Sequence, residues 1–443
     1  MSRPSGSSMS ETVRDYALVE EYVRGMKFEK IDKGLFVLPG LLLFPASVGL
    51  IAELAYLITS SAVPWLVLGA LTVMFAGFLV SSAVASYTLL KKVSLHFYDS
   101  AVVVYYWSRK ENFENVLNYL RERREVRSLP SPVTGLLLNL LVGGIGYIAI
   151  LYYVEKSIRE HIRVEEKALF GVWTIEPVGP GDLVRDVFLT AATLGLYLSY
   201  WAWRVVSLYN EHVEEIHGQH PNPPSRRGLL GVGSPDLTLT GVLGVVLAVG
   251  GLDALLAWLG LYSHVHFAVV LGLALSYTGL KLSDKPIRGL AVSYGLIYLG
   301  LAFSTLVGFA GYTTYTNLAK LFESLASEVY KLGFLGTLFH IFLNNFSIAM
   351  SSTPPLLGPL VVGYGLSNAG VIYGARLASG EATPLLFIIP HTPIELLGYA
   401  VFTVASAQLA GGKGSPWKTI AVGSLVLLAA AAVETSLIAS RLH

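Results

Sequence analysis

"LTLTGVLGVVLAVGGLDALLAWL", Leu237 to Leu259, runs for 23 residues with one charged side chain, Asp253. As an α-helix it rises about 1.5 Å per residue, enough to cross roughly 30 Å of hydrocarbon. Leu35 to Thr59, Val63 to Leu90 and Ile420 to Ala439 have the same character. Strands of a membrane barrel are about half as long and alternate apolar with polar residues, which these runs do not. Composition agrees: 53% of the 443 residues are hydrophobic and 14% charged, against about 25% charged in ordinary soluble domains. The expected fold is all-α, a polytopic transmembrane helical bundle of about 9 to 11 spans with amphipathic cytoplasmic helices.

Charge and cysteine count exclude several classes. The formal net charge is +1 and no basic face is visible, so nucleic acid is not an expected partner. There is no cysteine, which removes disulfides, thiol catalysis and cysteine metal sites. Glutamine occurs only as Gln219 and Gln408, and cysteine, methionine and glutamine are all scarce, a bias found in thermophiles. The polar N-terminus lacks the apolar core of a cleavable signal peptide, so the first span is expected to direct insertion.

Residues 1–33 read as a polar tail and an amphipathic helix bearing Val13, Tyr16, Ala17, Val23 and Met26. Residues 34–130 read as a two-span hairpin followed by a basic helix that holds Lys91, Lys92, Arg109, Lys110, Arg121, Arg123, Arg124 and Arg127. Basic loops favour the cytoplasm, which places the N-terminus there and the chain in the plasma membrane as a multi-pass protein. "HGQHPNPPSRRGLLGVGSPD", His217 to Asp236, has linker composition, and the linker is set at 218–236. Beyond it, in 237–443, spans are expected at 237–260, 264–281, 288–310, 333–350, 355–378, 383–411 and 418–440. "GYTTYTNLAKLF", Gly311 to Phe322, reads as an external amphipathic helix.

Between hairpin and linker, 131–217 contains a repeat. "LLVGGIGYIAILYYVEKSIREHI" aligns with "AATLGLYLSYWAWRVVSLYNEHV" at an offset of 51 residues. Gly144 falls on Gly195, Tyr152 on Trp203, and Glu160-His161 on Glu211-His212. The tryptophans and tyrosines are expected to form an interfacial belt. "TLGLYLSYW", Thr193 to Trp201, resembles a small uncharacterised family of prokaryotic membrane domains, which implies a tandem pair of them here. Spanning and re-entrant forms of each unit give the same parity of crossings.

Chemistry-bearing residues concentrate near "LLFIIPHTPIELLGY", Leu385 to Tyr399. Thr392-Pro393-Ile394-Glu395 has capping-box spacing, with Thr392 as N-cap, Pro393 as first helical residue and Glu395 reaching back. A helix break near Pro390 and Pro393 is therefore expected at membrane depth, where irregular backbone must be buried in protein or line a wet cavity. His391 lies beside it. His340, Asn344, Asn345 and Asn368 are the candidate neighbours, either as interhelical hydrogen-bond glue or as a midplane transport site.

His340, Asn344 and His391 are also similar to the pattern of intramembrane CAAX-type proteases. Those need paired glutamates on a membrane helix, whereas Glu20-Glu21, Glu165-Glu166 and Glu214-Glu215 all fall in polar segments. Glu53, Asp253 and Glu434 are further acids within spans, with no cationic partner visible on a nearby span. Whether a metal binds near His391 is left open.

At "FHIFLNNFSIAM", "GYGLSNAGVIYGARL" and "FIIPHTPIELLGYAV" the chain resembles the stage II sporulation protein M family. The matching positions are Asn344 and Asn345, then Asn368, Gly370 and Gly374, then Pro390, His391 and Glu395. The resemblance covers about a quarter of the chain. It implies a membrane scaffold or assembly component of the cell envelope, without catalytic activity or cofactor. Its partners would be the lipid bilayer, other membrane or envelope proteins, and a second copy in a homo-oligomer. The competing expectations are a secondary transporter or channel and an intramembrane metal-dependent hydrolase.

Overall fold

A computed structural model describes residues 30–59, 65–111, 129–170, 175–216, 237–260, 264–382, 390–412 and 414–442. All regular structure among these residues is helical. The helices are α1 Gly34–Thr59, α2 Trp65–Glu111, α3 Pro132–Leu141, α4 Ile145–Phe170, α5 Pro180–Ala192, α6 Leu196–Ile216, α7 Leu239–Trp258, α8 Val265–Lys281, α9 Pro286–Ala310, α10 Tyr312–Tyr330, α11 Gly333–Ser351, α12 Gly358–Ala378, α13 His391–Gly411 and α14 Pro416–Leu442. Among the described residues, six helical segments are long and apolar enough to cross a membrane: Gly69–Phe97, Leu239–Trp258, Pro286–Ala310, Gly333–Ser351, His391–Gly411 and Pro416–Ser440. Gly34–Leu50, Pro132–Leu141 and Val265–Lys281 are shorter apolar helices. The expected N-terminal amphipathic helix, the linker and most of "LLFIIPHTPIELLGY" before Pro390 lie outside the described residues.

The chain forms two units. The first comprises the described residues of Met1–Leu43, Val73–Gly179 and Leu196–Pro235. Its α2 continues without interruption through Lys91 and Lys92 to Glu111, where the sequence suggested that a span ends at Leu90 and a separate helix follows. No glycine or proline occurs between Phe78 and Glu111, so nothing breaks the ladder.

Helix α3 begins at a true cap: Ser131 accepts from the Thr134 backbone N–H at 3.1 Å, and Pro132 occupies the first turn, where its missing N–H has no partner to lose. The helix ends in Gly143 and Gly144, with φ of +62° and +86°. A Cβ on Gly144 would stand 2.2 Å from the Phe78 ring, so both the backbone and the space there require glycine. The aligned Gly195 also has positive φ, +99°, after Leu194 at +51°. Each repeat copy is thus a short helix, a left-handed turn and a long helix.

The start of α1 is held by the long helices of the repeat. Asn210 accepts from the Ile31 N–H and donates to the Ile31 carbonyl at 2.8 and 2.9 Å. The Tyr147 hydroxyl donates to the Phe36 carbonyl at 3.0 Å, and Ser199 donates to the Val37 carbonyl at 2.8 Å. The aromatic residues divide: Trp203 and Tyr200 are exposed, but Tyr147 and Trp201 are fully buried. Trp201 is thereby excluded from the expected interfacial belt, its indole N–H having a polar partner in the interior.

The second unit comprises the described residues of Phe44–Thr72, Pro180–Gly195 and Asp236–His443. Its core includes Val184, Phe188, Phe267, Leu271, Phe402 and Leu427. Between α9 and α12 the backbones approach closely, since a Cβ on Gly374 would meet the Thr305 carbonyl oxygen at 2.0 Å and one on Gly370 would meet Ser304 Cβ at 2.4 Å. This is small-residue packing, the device by which helices associate where no hydrophobic effect separates protein from solvent.

Candidate functional site

The residues singled out around the helix start are not joined into one hydrogen-bonded centre, and His391 Nδ1 is buried with no hydrogen-bond partner among the described residues. Helix α13 begins at His391, with Pro390 before it in helical conformation and no side-chain cap. The expected Thr392–Glu395 capping box is not formed. Helical backbone already includes Thr392, and the Tyr399 hydroxyl donates to Glu395 Oε1 at 3.0 Å one turn further on, which takes the carboxylate away from the helix end. The Tyr294 hydroxyl donates to the Pro393 carbonyl at 3.2 Å.

Asn368 Oδ1 pairs with His264 Nε2 at 2.6 Å. Ser367 donates to the His264 carbonyl and accepts from Ser304, at 3.2 and 3.3 Å. On α11, Asn344 donates to its neighbour Asn345 at 3.2 Å. Asn345 is buried, whereas His340 and Asn344 are exposed. None of these hydrogen bonds joins His340, Asn344 or Asn345 to Asn368, His391 or Glu395.

Asp253, for which the sequence offered no partner, is fully buried and lies 3.1 Å from His266 Nδ1, across the α7–α8 connection. The other nitrogen of that ring sits 3.0 Å from the Ala191 carbonyl oxygen. The side chain of Glu53 lies outside the described part.

A denser polar centre lies in the first unit. Glu155 of α4 accepts from Arg159 Nε and Nη2 at 3.2 and 3.1 Å, and from Arg204 Nη2 and the Trp201 indole N–H of α6, both at 2.8 Å. Two guanidinium groups and an indole thus share one buried carboxylate. Arg159 reaches Oε1 with both nitrogens, while Arg204 and Trp201 share Oε2, so both oxygens carry charge-assisted hydrogen bonds.

Further along the same helices, three imidazoles converge. His96 comes from α2, His161 from α4 and His212 from α6, and all are buried. Their ring centroids are 5.2 to 5.3 Å apart, and each pair of planes meets at 81° to 86°. One ligating atom from each lies within 4.8 Å of the other two. Glu165, one turn after His161, is fully buried, with Oε1 3.2 Å from His161 Nε2 and Oε2 3.2 Å from His212 Nε2. Tyr209 and Phe97 close the sides, the former edge-on to His96 at 5.2 Å and the latter 4.3 Å from the His161 ring.

This cluster is not marked in the sequence, where Glu165-Glu166 has the composition of a polar segment; both residues are 0% exposed, because α4 turns its charged face inward. The available signal was the repeat itself, which aligned His161 with His212. No protein-family model matches the chain, and no curated protein or solved structure is similar to it.

Proposed function

We propose that the chain is a multi-pass plasma-membrane protein with a cytoplasmic N-terminus. In this reading its C-terminal bundle is related to stage II sporulation protein M, and it acts as an assembly component that holds other envelope proteins. One observation carries the reading. His340, Asn344, Ser347 and Ser351 recur at helical spacing along α11 and are all exposed, on a helix of membrane-crossing length. Polar side chains facing hydrocarbon are unfavourable, and Asn, His and Ser satisfied across a helix pair are a recurrent basis of association within membranes.

Phe339, Leu343 and Leu335 are exposed beside the stripe and would supply the apolar surround. The polar residues of α12 and α13 engage His264, Tyr399 and Tyr294 inside the bundle, which supports a packing role for them over a transport or hydrolytic one.

Because the chain has no cysteine, Ser347→Cys gives a single thiol on the stripe. Thiol cross-linking in native membranes is expected to join it to another membrane protein, and the adduct is expected to weaken when Asn344→Leu is added. An adduct made only of two copies would assign the stripe to self-association. No adduct, or one indifferent to Asn344→Leu, would end the assembly reading.

A further inference from the structure

We propose that His96, His161 and His212, with Glu165 as the charge-balancing carboxylate, form a binding site for a divalent transition-metal ion, zinc being the ion this donor set suits best. The inference is independent of the assembly reading, which rests on α11.

Three features point to it. The first is convergence: ligand atoms from three different helices lie within 4.8 Å of one another. Sequence neighbours cannot produce this by accident of helical spacing. Ligands held at about 2.0–2.1 Å around zinc in a tetrahedron stand about 3.3 Å apart; the three nitrogens lie within 4.8 Å of one another, and Glu165 sets one oxygen 3.2 Å from His161 and the other 3.2 Å from His212.

The second is spacing. The three rings stand at nearly equal centroid distances of 5.2 to 5.3 Å, and Glu165 lies between two of them, 3.2 Å from a nitrogen of each.

The third is the chemistry of burial. Three imidazoles and a carboxylate removed from water carry a large desolvation cost, and a divalent cation bound among them offsets it. Imidazole and carboxylate without thiolate suit zinc and its neighbours in the first transition row. The three histidines and Glu165 are all buried, and a carboxylate beside two ligating histidines fixes their orientation and raises their basicity. An ion here would fasten α2, α4 and α6 together.

The test uses the full chain in detergent, carried by an affinity tag without histidine, stripped with chelator and titrated with Zn2+. The wild type is expected to retain about one zinc per chain, and His212→Ala to lose it. Glu165→Gln should weaken binding by about 10–100-fold, the usual effect of losing a supporting carboxylate. Co2+ in place of zinc is expected to give the visible absorption of a tetrahedral site in the wild type but not in His161→Ala.

Should an alanine variant fail to fold, His96→Gln and Glu165→Gln decide the matter, since both keep side-chain volume and hydrogen bonding. Zinc uptake by folded His96→Gln equal to that of the wild type would overturn the proposal. So would a stripped wild type that takes up neither Zn2+ nor Co2+.

Discussion

His161 and His212 stand edge to face with ring centroids 5.3 Å apart, and they occupy equivalent positions of the 51-residue repeat. Glu155 and Arg204, joined at 2.8 Å, are 49 positions apart on the same two helices. Two such pairs in the same order mean that α4 and α6 run parallel and nearly in register. Of the two layers only the histidine one pairs equivalent positions of the repeat; Glu155 aligns with Val206 and Arg204 with Tyr153, so the charged layer arose by divergence of the two copies. The glutamate–arginine layer comes first and the histidine layer about two turns later.

The glutamate layer should be the more brittle of the two to single substitution. Glu155→Gln removes the one negative charge seen to bind both Arg159 and Arg204, which are 8% and 1% exposed. Leaving a buried charge without its counter-ion costs about 3–5 kcal/mol. Unfolding by SDS titration should show a loss of that order. A loss below about 1 kcal/mol would mean that the pair behaves like a surface one.

At the α9–α12 interface the prediction is a contrast between two glycines. Gly374→Ala places a methyl 2.0 Å from the Thr305 carbonyl oxygen and 2.6 Å from the Phe309 nitrogen. Backbone cannot yield as a side chain can, and overpacking of this kind typically costs about 1–3 kcal/mol. Gly295→Ala, on α9 with nothing within 4 Å of the new methyl, should be neutral or stabilising by up to about 1 kcal/mol through helix propensity. Equal effects at the two sites would remove the close-packing account of Gly374.

Asp253 and His266 should be energetically coupled. A double-mutant cycle of Asp253→Ala and His266→Ala is expected to give an interaction term of about 0.5–3 kcal/mol, the range for residues in one hydrogen-bonded network. Additive losses would show that the 3.1 Å contact contributes nothing, and that Asp253 is held by its other surroundings.

The helices of the second unit could be read closely from the sequence because their ends are marked. Pro286 opens α9, Gly311 closes it and Gly333 opens α11, and each lies within a few residues of the expected span limits. Where no marker exists the reading slipped, as in α2, which runs on past Leu90 since only charge changes there. The Thr392–Glu395 spacing was visible, but Tyr399 is as close to Glu395 along a helix as the cap is, and local spacing cannot choose between them. Convergence of His96 with the repeat histidines was not legible for another reason. His96 lies outside the repeat, and only the packing of α2 against α4 and α6 brings it in.

Alkaline stability offers a last test, on α10. Burial pushes the Tyr315 phenol above its ordinary range, which is about 10. In the unfolded chain the phenol loses its proton near that value, while in the folded chain it keeps it. Above pH of about 10 the folded state therefore binds more protons than the unfolded state, and stability falls as pH rises. Tyr315→Phe removes the titrating hydroxyl together with its interaction with the His264 backbone; below the ordinary phenol range the loss of that interaction does not vary with pH. The stability difference between wild type and Tyr315→Phe should be constant below pH of about 9 and move in favour of the phenylalanine variant above about 10. A difference that stays flat across that range would mean that the hydroxyl reaches water when the protein is folded, contrary to its 4% exposure.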